Sequence, residues 1–238
     1  MAPEVSFDDF ETGSLVELIN VSSFMESGFA IFEGANLRLK AGERVLITAP
    51  VASGKSLFLK LLAGLSKPEQ GVVFLFGRDI SELDADGLNH ARSRMGFVFQ
   101  ENILISNLKV VENVALPMLY HGSMPYEDAM ERSFELLDMT GFRGDAWSLP
   151  GPLPHYAKKE VALARALALD PDIIVCENIW DFLKDDEKAH ISALLTGYQS
   201  RKSGALLIFT ANNENDAPYS RPDRVIRIEG GSFIEQPH

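Results

Sequence analysis

A parallel α/β fold that carries a phosphate loop and a helical insertion is what this sequence predicts, on three observations. An apolar run at 45–47, a loop ending Ser53-Gly54-Lys55-Ser56 and a helically spaced run at 57–62 make a strand–loop–helix unit. Strand and helix patterns alternate along most of the chain, which is the pattern of a parallel sheet. Between about 101 and 165 the strand patterns stop and only helical ones remain.

The loop over 49–56 keeps most of the pattern G-x-x-x-x-G-K-[ST]. Such a loop turns backbone N–H groups and a helix N-terminus toward a polyphosphate. Pro50, Ser53, Gly54, Lys55, Ser56 and Leu57 are the candidate nucleotide contacts. Lys55 would reach the β- and γ-phosphates, and the Ser56 hydroxyl would ligate Mg²⁺. Ala49 stands where the first Gly belongs, and Ala52 replaces a second Gly common in this loop. If the loop needs φ > 0 there, each Cβ costs roughly 1–2 kcal/mol. Lys55 and Ser56 also fit a surface lysine and an ordinary N-cap; the strand before and the helix after favour the phosphate loop.

Residues 1–14 read as a loose acidic leader. Strands are expected over 15–21, 29–32 and 35–40, the last alternating like a half-exposed one. A turn at 40–43 leads into the loop strand. After the loop helix, a turn at 67–71 enters a strand over 72–76. Residues 81–94 predict a polar helix with Ser81 as N-cap. A strand over 95–99 ends at Gln100. Helices then follow over 110–120 and 126–139, and a third starts from about Ala157 behind Pro150, Pro152 and Pro154. The strand pattern returns at 172–176, with a helix over 185–199 and a strand over 205–209. Two last strands, 223–228 and 232–235, flank Gly230-Gly231, a hairpin signal.

At 238 residues the chain is long enough for a substantial core. Its net charge of −12, with dispersed basic residues, argues against a nucleic-acid partner, which needs clustered Lys and Arg. The single cysteine, Cys176, lies in an apolar run and reads as a buried strand thiol in a reducing compartment. No stretch reaches the roughly 18 apolar residues that span a bilayer, and no basic-then-apolar leader is present. A cytosolic protein that reaches a membrane only through a partner is the expectation.

Several separate stretches together resemble one family, the ATPase subunits of ABC transporters. Phe99-Gln100 resembles that family's Q-loop, and Val111-Glu112-Asn113-Val114-Ala115-Leu116-Pro117 the segment after it. Ala162 to Pro171 resembles the helix after the signature motif and the turn into the Walker B strand. Asp223-Arg224-Val225 with Glu229-Gly230-Gly231 resembles the closing hairpin. The likeness runs from about 15 to 236, and it is similar in flavour to subunits serving bacterial lipid or lipoprotein trafficking. It implies a P-loop NTPase of ABC ATPase type over 15–238, with an antiparallel β subdomain and a helical subdomain at about 101–165. It implies ATP and Mg²⁺ as cofactors, the metal on Ser56, Gln100 and Glu177. It implies an integral-membrane transporter subunit as partner and a homo- or heterodimer with another ABC ATPase chain. The chain would sit peripherally at the inner face of the membrane.

The departures from the family are as specific as the matches. The signature LSGGQ falls on 153–157, where Pro154, His155 and Tyr156 replace its Ser and glycines. The Walker B aspartate falls on Glu177. The carboxylate that activates water falls on Asn178, and a neutral amide cannot accept that proton. The switch histidine falls on Ala211, and the D-loop on 181–184 with Lys184 in place of its Asp. Phe24 occupies the adenine-stacking place but reads first as a core residue, and His155 as a solvated loop histidine. Both halves of a composite ATP site are damaged in one chain. The expectation is a degenerate subunit that binds nucleotide weakly if at all and acts as a structural or regulatory partner. The alternatives are an ATPase driving transport with unorthodox residues and a stand-alone interaction module.

Overall fold

The computed structural model describes residues 13–25, 29–50, 53–121, 124–215 and 217–236. Of the expected leader, 1–12 lie outside the described residues, and Ser14 already opens a strand. Strands β1 (Ser14–Phe24) and β2 (Ala30–Lys40) pair antiparallel. The separate strands expected over 29–32 and 35–40 are one: Gly34, at φ 59°, sits where the pairing shifts register and lets the strand continue. Then come β3 (Arg44–Thr48), α1 (Lys55–Leu62), β4 (Gln70–Leu75) and β5 (Arg78–Asp79), the last too short to leave a pattern.

Helix α2 (Ala85–Ser93) starts later than its polar run suggested. The Asp84 carboxylate accepts from the Gly87 N–H at 2.8 Å and is the N-cap, while Ser81 turns back to donate its N–H to Asp79 at 2.7 Å. After β6 (Met95–Val98) come α3 (Val110–His121), α4 (Tyr126–Thr140) and α5 (His155–Ala166). The chain ends with β7 (Ile173–Glu177), α6 (Asp185–Arg201), β8 (Leu206–Ala211), α7 (Ala217–Ser220), β9 (Arg224–Glu229) and β10 (Ser232–Glu235).

Among the described residues the strands form two sheets. One is antiparallel, in the order β2-β1-β4-β5; the other runs β10-β9-β3-β8-β7-β6, with β9 to β6 parallel. Gly230 and Gly231, at φ 57° and 76°, make the expected β9–β10 hairpin turn.

Strand alternation divides the core. On β3, Val45 and Ile47 face one way and Leu46 the other, and all three are fully buried. Val45 and Ile47 pack with α1 and the antiparallel sheet, around Phe58, Leu62 and Phe32. Leu46 joins Ile174, Leu207 and Phe209 against α3 to α6. Past β7, the loop is plugged by Trp180, whose ring stacks 5.8 Å from Phe209 and lies 5.9 Å from Tyr219. Its indole N–H donates to Ser220 Oγ at 2.9 Å.

Candidate functional site

Parallel strands end on one edge, so the residues just beyond β3, β8, β7 and β6 converge. A cavity of about 590 Å³ opens there. Ser53, Gly54, Lys55, Ser56 and Leu57 line one side. Gln100, Glu177, Asn178 and Asn212, from the other strand ends, line the opposite one. Seven candidates named from sequence thus share one cavity: Ser53 to Leu57, Gln100 and Glu177. Pro50 stands at its rim as an exposed residue whose carbonyl accepts from the Ser53 hydroxyl.

Lys55 is only 8% exposed, and its ammonium group donates to the carbonyls of Ala49 at 2.7 Å and Ala211 at 3.1 Å and to Asn212 Oδ1. Burial lowers its pKa, an effect that Glu177 and then Asp181 oppose. Ser56 is exposed, with its hydroxyl at the cavity. The cost expected at Ala49 does not arise: its φ is not positive, and its N–H donates to the Ala211 carbonyl at 3.1 Å. Ala52 lies outside the described residues. Gly54 is where the loop needs glycine. Its φ is 104°, and a Cβ there would stand 3.0 Å from Ile31 and 3.1 Å from Phe32.

Asp181, Gln100 and Asn178 form a directed hydrogen-bond circuit. Gln100 Nε2 donates to the Asp181 carboxylate at 3.2 Å, and Asn178 Nδ2 donates to Gln100 Oε1 at 2.8 Å. A carboxylate only accepts, so it fixes which end of Gln100 faces it, and Gln100 in turn fixes Asn178. Asn178 Oδ1 is left buried without a hydrogen-bond partner. Behind the circuit stands Lys159, a fully buried lysine on α5. Its ammonium group donates to the Gln100 carbonyl at 3.0 Å. Burial pushes its pKa down to about 8, against the pull of Cys176, Asp181, Glu101 and Glu177. Arg165, also on α5, donates to the carbonyls of Ile103 at 2.8 Å and Asn102 at 3.0 Å. The segment from Gln100 to Ile103 is thereby tied to α5.

The expectations for His155 and Phe24 need correction. His155 is not a loop residue: it is the first residue of α5, with Pro154 as N-cap. Its ring meets Phe182 edge-on at 5.6 Å, and its Nδ1 is buried. Burial, followed by the charge of Lys159, lowers its pKa. Phe24 is 40% exposed and so no core residue, and it does not line the cavity, which Met25 and Ile31 do. Ala211, at the switch-histidine place, is buried and offers the site only its carbonyl, to Lys55.

As a test of fit for Mg²⁺, Ser56 and Glu177 present oxygen donors of the type this ion takes beside phosphates. Gln100 is less available, since its Oε1 is engaged by Asn178. Cys176 is 1% exposed, as its apolar run implied, and burial pushes its thiol up to about 12. A thiol-reactive disulfide reagent at pH 8 is therefore expected to leave the native chain unmodified and to titrate one thiol only after guanidinium unfolding.

Sequence reasoning missed Lys159 and Asn212, and it placed Asp181 only as the start of the D-loop stretch, not as a partner of Gln100. The available signal for Lys159 was a lysine in register with Ala162 and Ala166 on the apolar face of a helix. Asn212 sits in a loop and left no pattern.

The family described as ABC transporter matches residues 32–178 of this chain. A probable ribonucleotide transport ATP-binding protein, mkl, of Mycobacterium tuberculosis is 32% identical over 210 residues, which is 88% of this chain and 58% of the relative. The chain thus spans little more than half the length of that relative. A lipoprotein-releasing system ATP-binding protein, LolD, of Chromohalobacter salexigens is 32% identical over 86% of this chain and 85% of its own. Among solved structures, the ATP-binding cassette MJ0796, a dimer in a post-hydrolysis state bound to ADP and Pi, superposes with a TM-score of 0.82. It is 32% identical and covers 93% of this chain and 97% of its own.

Proposed function

The chain belongs to the ABC transporter family as an ATP-binding domain, and from that premise we propose that it is a degenerate subunit of a transport complex. In this reading it binds ATP, hydrolyses it poorly or not at all, and serves as the structural or regulatory partner of a membrane subunit. The observation that carries the reading is Asn178. At the place of the general base stands an amide whose N–H₂ group is engaged by Gln100. An amide has no proton-accepting group with a useful pKa, so water activation is lost. The signature segment adds to this. Pro154 supplies no N–H, and His155 and Tyr156 supply side chains where glycines would let a phosphate approach.

Lys55 and the amides of Gly54 to Leu57 would hold the phosphates. Ser56 and Glu177 would hold Mg²⁺, which when bound neutralises charge on the β- and γ-phosphate oxygens. Met25 and Ile31 would receive the base. One ABC ATPase-like domain over 15–238 with a helical lobe at about 101–165 remains our division of the chain.

A membrane subunit is supported by a second cavity, of about 380 Å³, beside the segment that follows Gln100. Phe97, Phe99, Ile103, Ile105 and Pro117 line it, and Ile103 is 56% exposed. No helix among the described residues is long and apolar enough to cross a membrane. Attachment at the cytoplasmic face through that groove, as one half of an ATPase dimer, is the arrangement we favour. LolD, by its name part of a lipoprotein-releasing system, makes lipid or lipoprotein trafficking the leading cargo class.

Calorimetric titration of Mg-ATP, followed by a phosphate-release assay, tests the reading. The expected result is saturable binding with turnover about 10²–10⁴-fold below that of an intact family member. Turnover at the intact rate would establish an ATPase with unorthodox residues. No binding at millimolar ATP would leave an interaction module.

A further inference from the structure

We propose that Asn212 sets the affinity of the phosphate site by competing for Lys55, its amide oxygen standing where a phosphate oxygen would. The proposal rests on the nucleotide-binding reading above and concerns what a polyphosphate must displace on entering.

Lys55 has no donor to spare. An ammonium group carries three N–H donors and no acceptor. All three are spent inside the chain, on the carbonyls of Ala49 at 2.7 Å and Ala211 at 3.1 Å and on Asn212 Oδ1. A polyphosphate gains a bond from Lys55 only by taking one of them. The three acceptors differ in how readily they give way. Ala49 and Ala211 are buried and offer main-chain carbonyls, and Ala211 ends β8 in register with Thr48 of β3. The Ala211 carbonyl also accepts from the Ala49 N–H at 3.1 Å, so neither carbonyl moves unless the sheet edge does. Asn212 lies just past the end of β8, is exposed, and lines the same cavity as Lys55. Its side chain turns about two single bonds, which makes it the acceptor that yields.

The exchange is one acceptor for another. An ammonium group only donates, so the oxygen end of the amide faces Lys55. A phosphate oxygen is also an acceptor, and its charge makes it the stronger one. ATP therefore displaces the amide, but its contact with Lys55 is weakened by the bond given up. With alanine at 212, water takes the third donor. The net advantage of a tethered amide over water is then no longer set against the ligand. A carboxylate at 212 would act in the opposite direction. It would hold the ammonium as an ion pair and repel phosphates in a cavity that Glu177 already lines.

Calorimetric titration of Mg-ATP into the full chain and its variants tests the proposal. Asn212→Ala is expected to tighten binding by about three- to tenfold, the net worth of one such bond. Unchanged or weaker binding would overturn the proposal. Asn212→Asp is expected to weaken binding by about tenfold or more, and parental affinity there would overturn it as well. In a Lys55→Ala background, Asn212→Ala is expected to change affinity by less than about twofold, because no ammonium remains to be held. A gain that persists without Lys55 would trace the effect to room in the cavity and overturn the role given to Asn212. The position is exposed, so the variants are expected to melt with the parent. If neither the parent nor Asn212→Ala binds ATP, the nucleotide reading itself falls, a result distinct from binding that ignores position 212.

Discussion

Trp180→Ala is expected to lower the stability of the chain by about 3–5 kcal/mol, the range for deleting a large buried aromatic. Trp180 is 2% exposed and packs on Phe209 and Tyr219, and its N–H is satisfied by Ser220. Alanine would leave a cavity under the loop and remove the donor that Ser220 Oγ accepts from. The position has more than packing at stake. The loop it plugs holds Asn178 at φ 42° and Phe182 at φ 61°, a conformation that side chains larger than glycine seldom adopt. A core anchor between two strained residues keeps them in place, so Asn178 and Asp181 should loosen with it. Urea denaturation of the variant beside Ser220→Ala separates the two parts. The serine variant should lose about 1–3 kcal/mol, the cost of leaving the buried Trp180 N–H without its acceptor. A loss for Trp180→Ala no larger than that would refute the anchoring role.

Lys55→Ala is expected to separate binding from stability. A charge-assisted contact contributes about 1.5–3 kcal/mol, so ATP affinity should fall by roughly 10- to 150-fold. Folding stability should stay within about 1 kcal/mol or rise, because the substitution also removes a buried ammonium whose charged form is penalised by desolvation. The acceptors left behind, Ala49, Ala211 and Asn212, border an open cavity where water can replace the lysine. Calorimetry and a thermal melt on one preparation check both halves. A variant that binds ATP as the parent does would remove Lys55 from the site.

The fold was largely legible because its signals are local and periodic. Alternation on β3, the phosphate-loop residues and the Gly230-Gly231 turn each follow from a few adjacent side chains. Legibility failed where a longer-range or subtler choice decided. The start of α2 passed from Ser81 to Asp84 because the Asp84 carboxylate is the side chain that accepts from a first-turn N–H, that of Gly87. In the site, residues supplied by strand ends announced themselves through order in the chain, as Gln100 and Glu177 did. Lys159 did not, and Asp181 did so only as the start of the D-loop stretch. Their significance lies in contacts with Gln100 across 81 and 59 positions of sequence, and no pattern along one segment carries such a contact.

The directed bonds around Gln100 also decide what position 178 can accept. Replacing Asn178 by Glu would bring an acceptor against Gln100 Oε1, itself an acceptor, and Gln100 cannot turn round while Asp181 demands its N–H₂ group. A carboxylate placed at position 178 alone thus meets repulsion, beside carboxylates already present at 177 and 181. Only when Asp181 also gives way to a neutral residue is the amide free to present its donor end to the new carboxylate. Installing a carboxylate at position 178 therefore takes two substitutions made together, one there and one at 181.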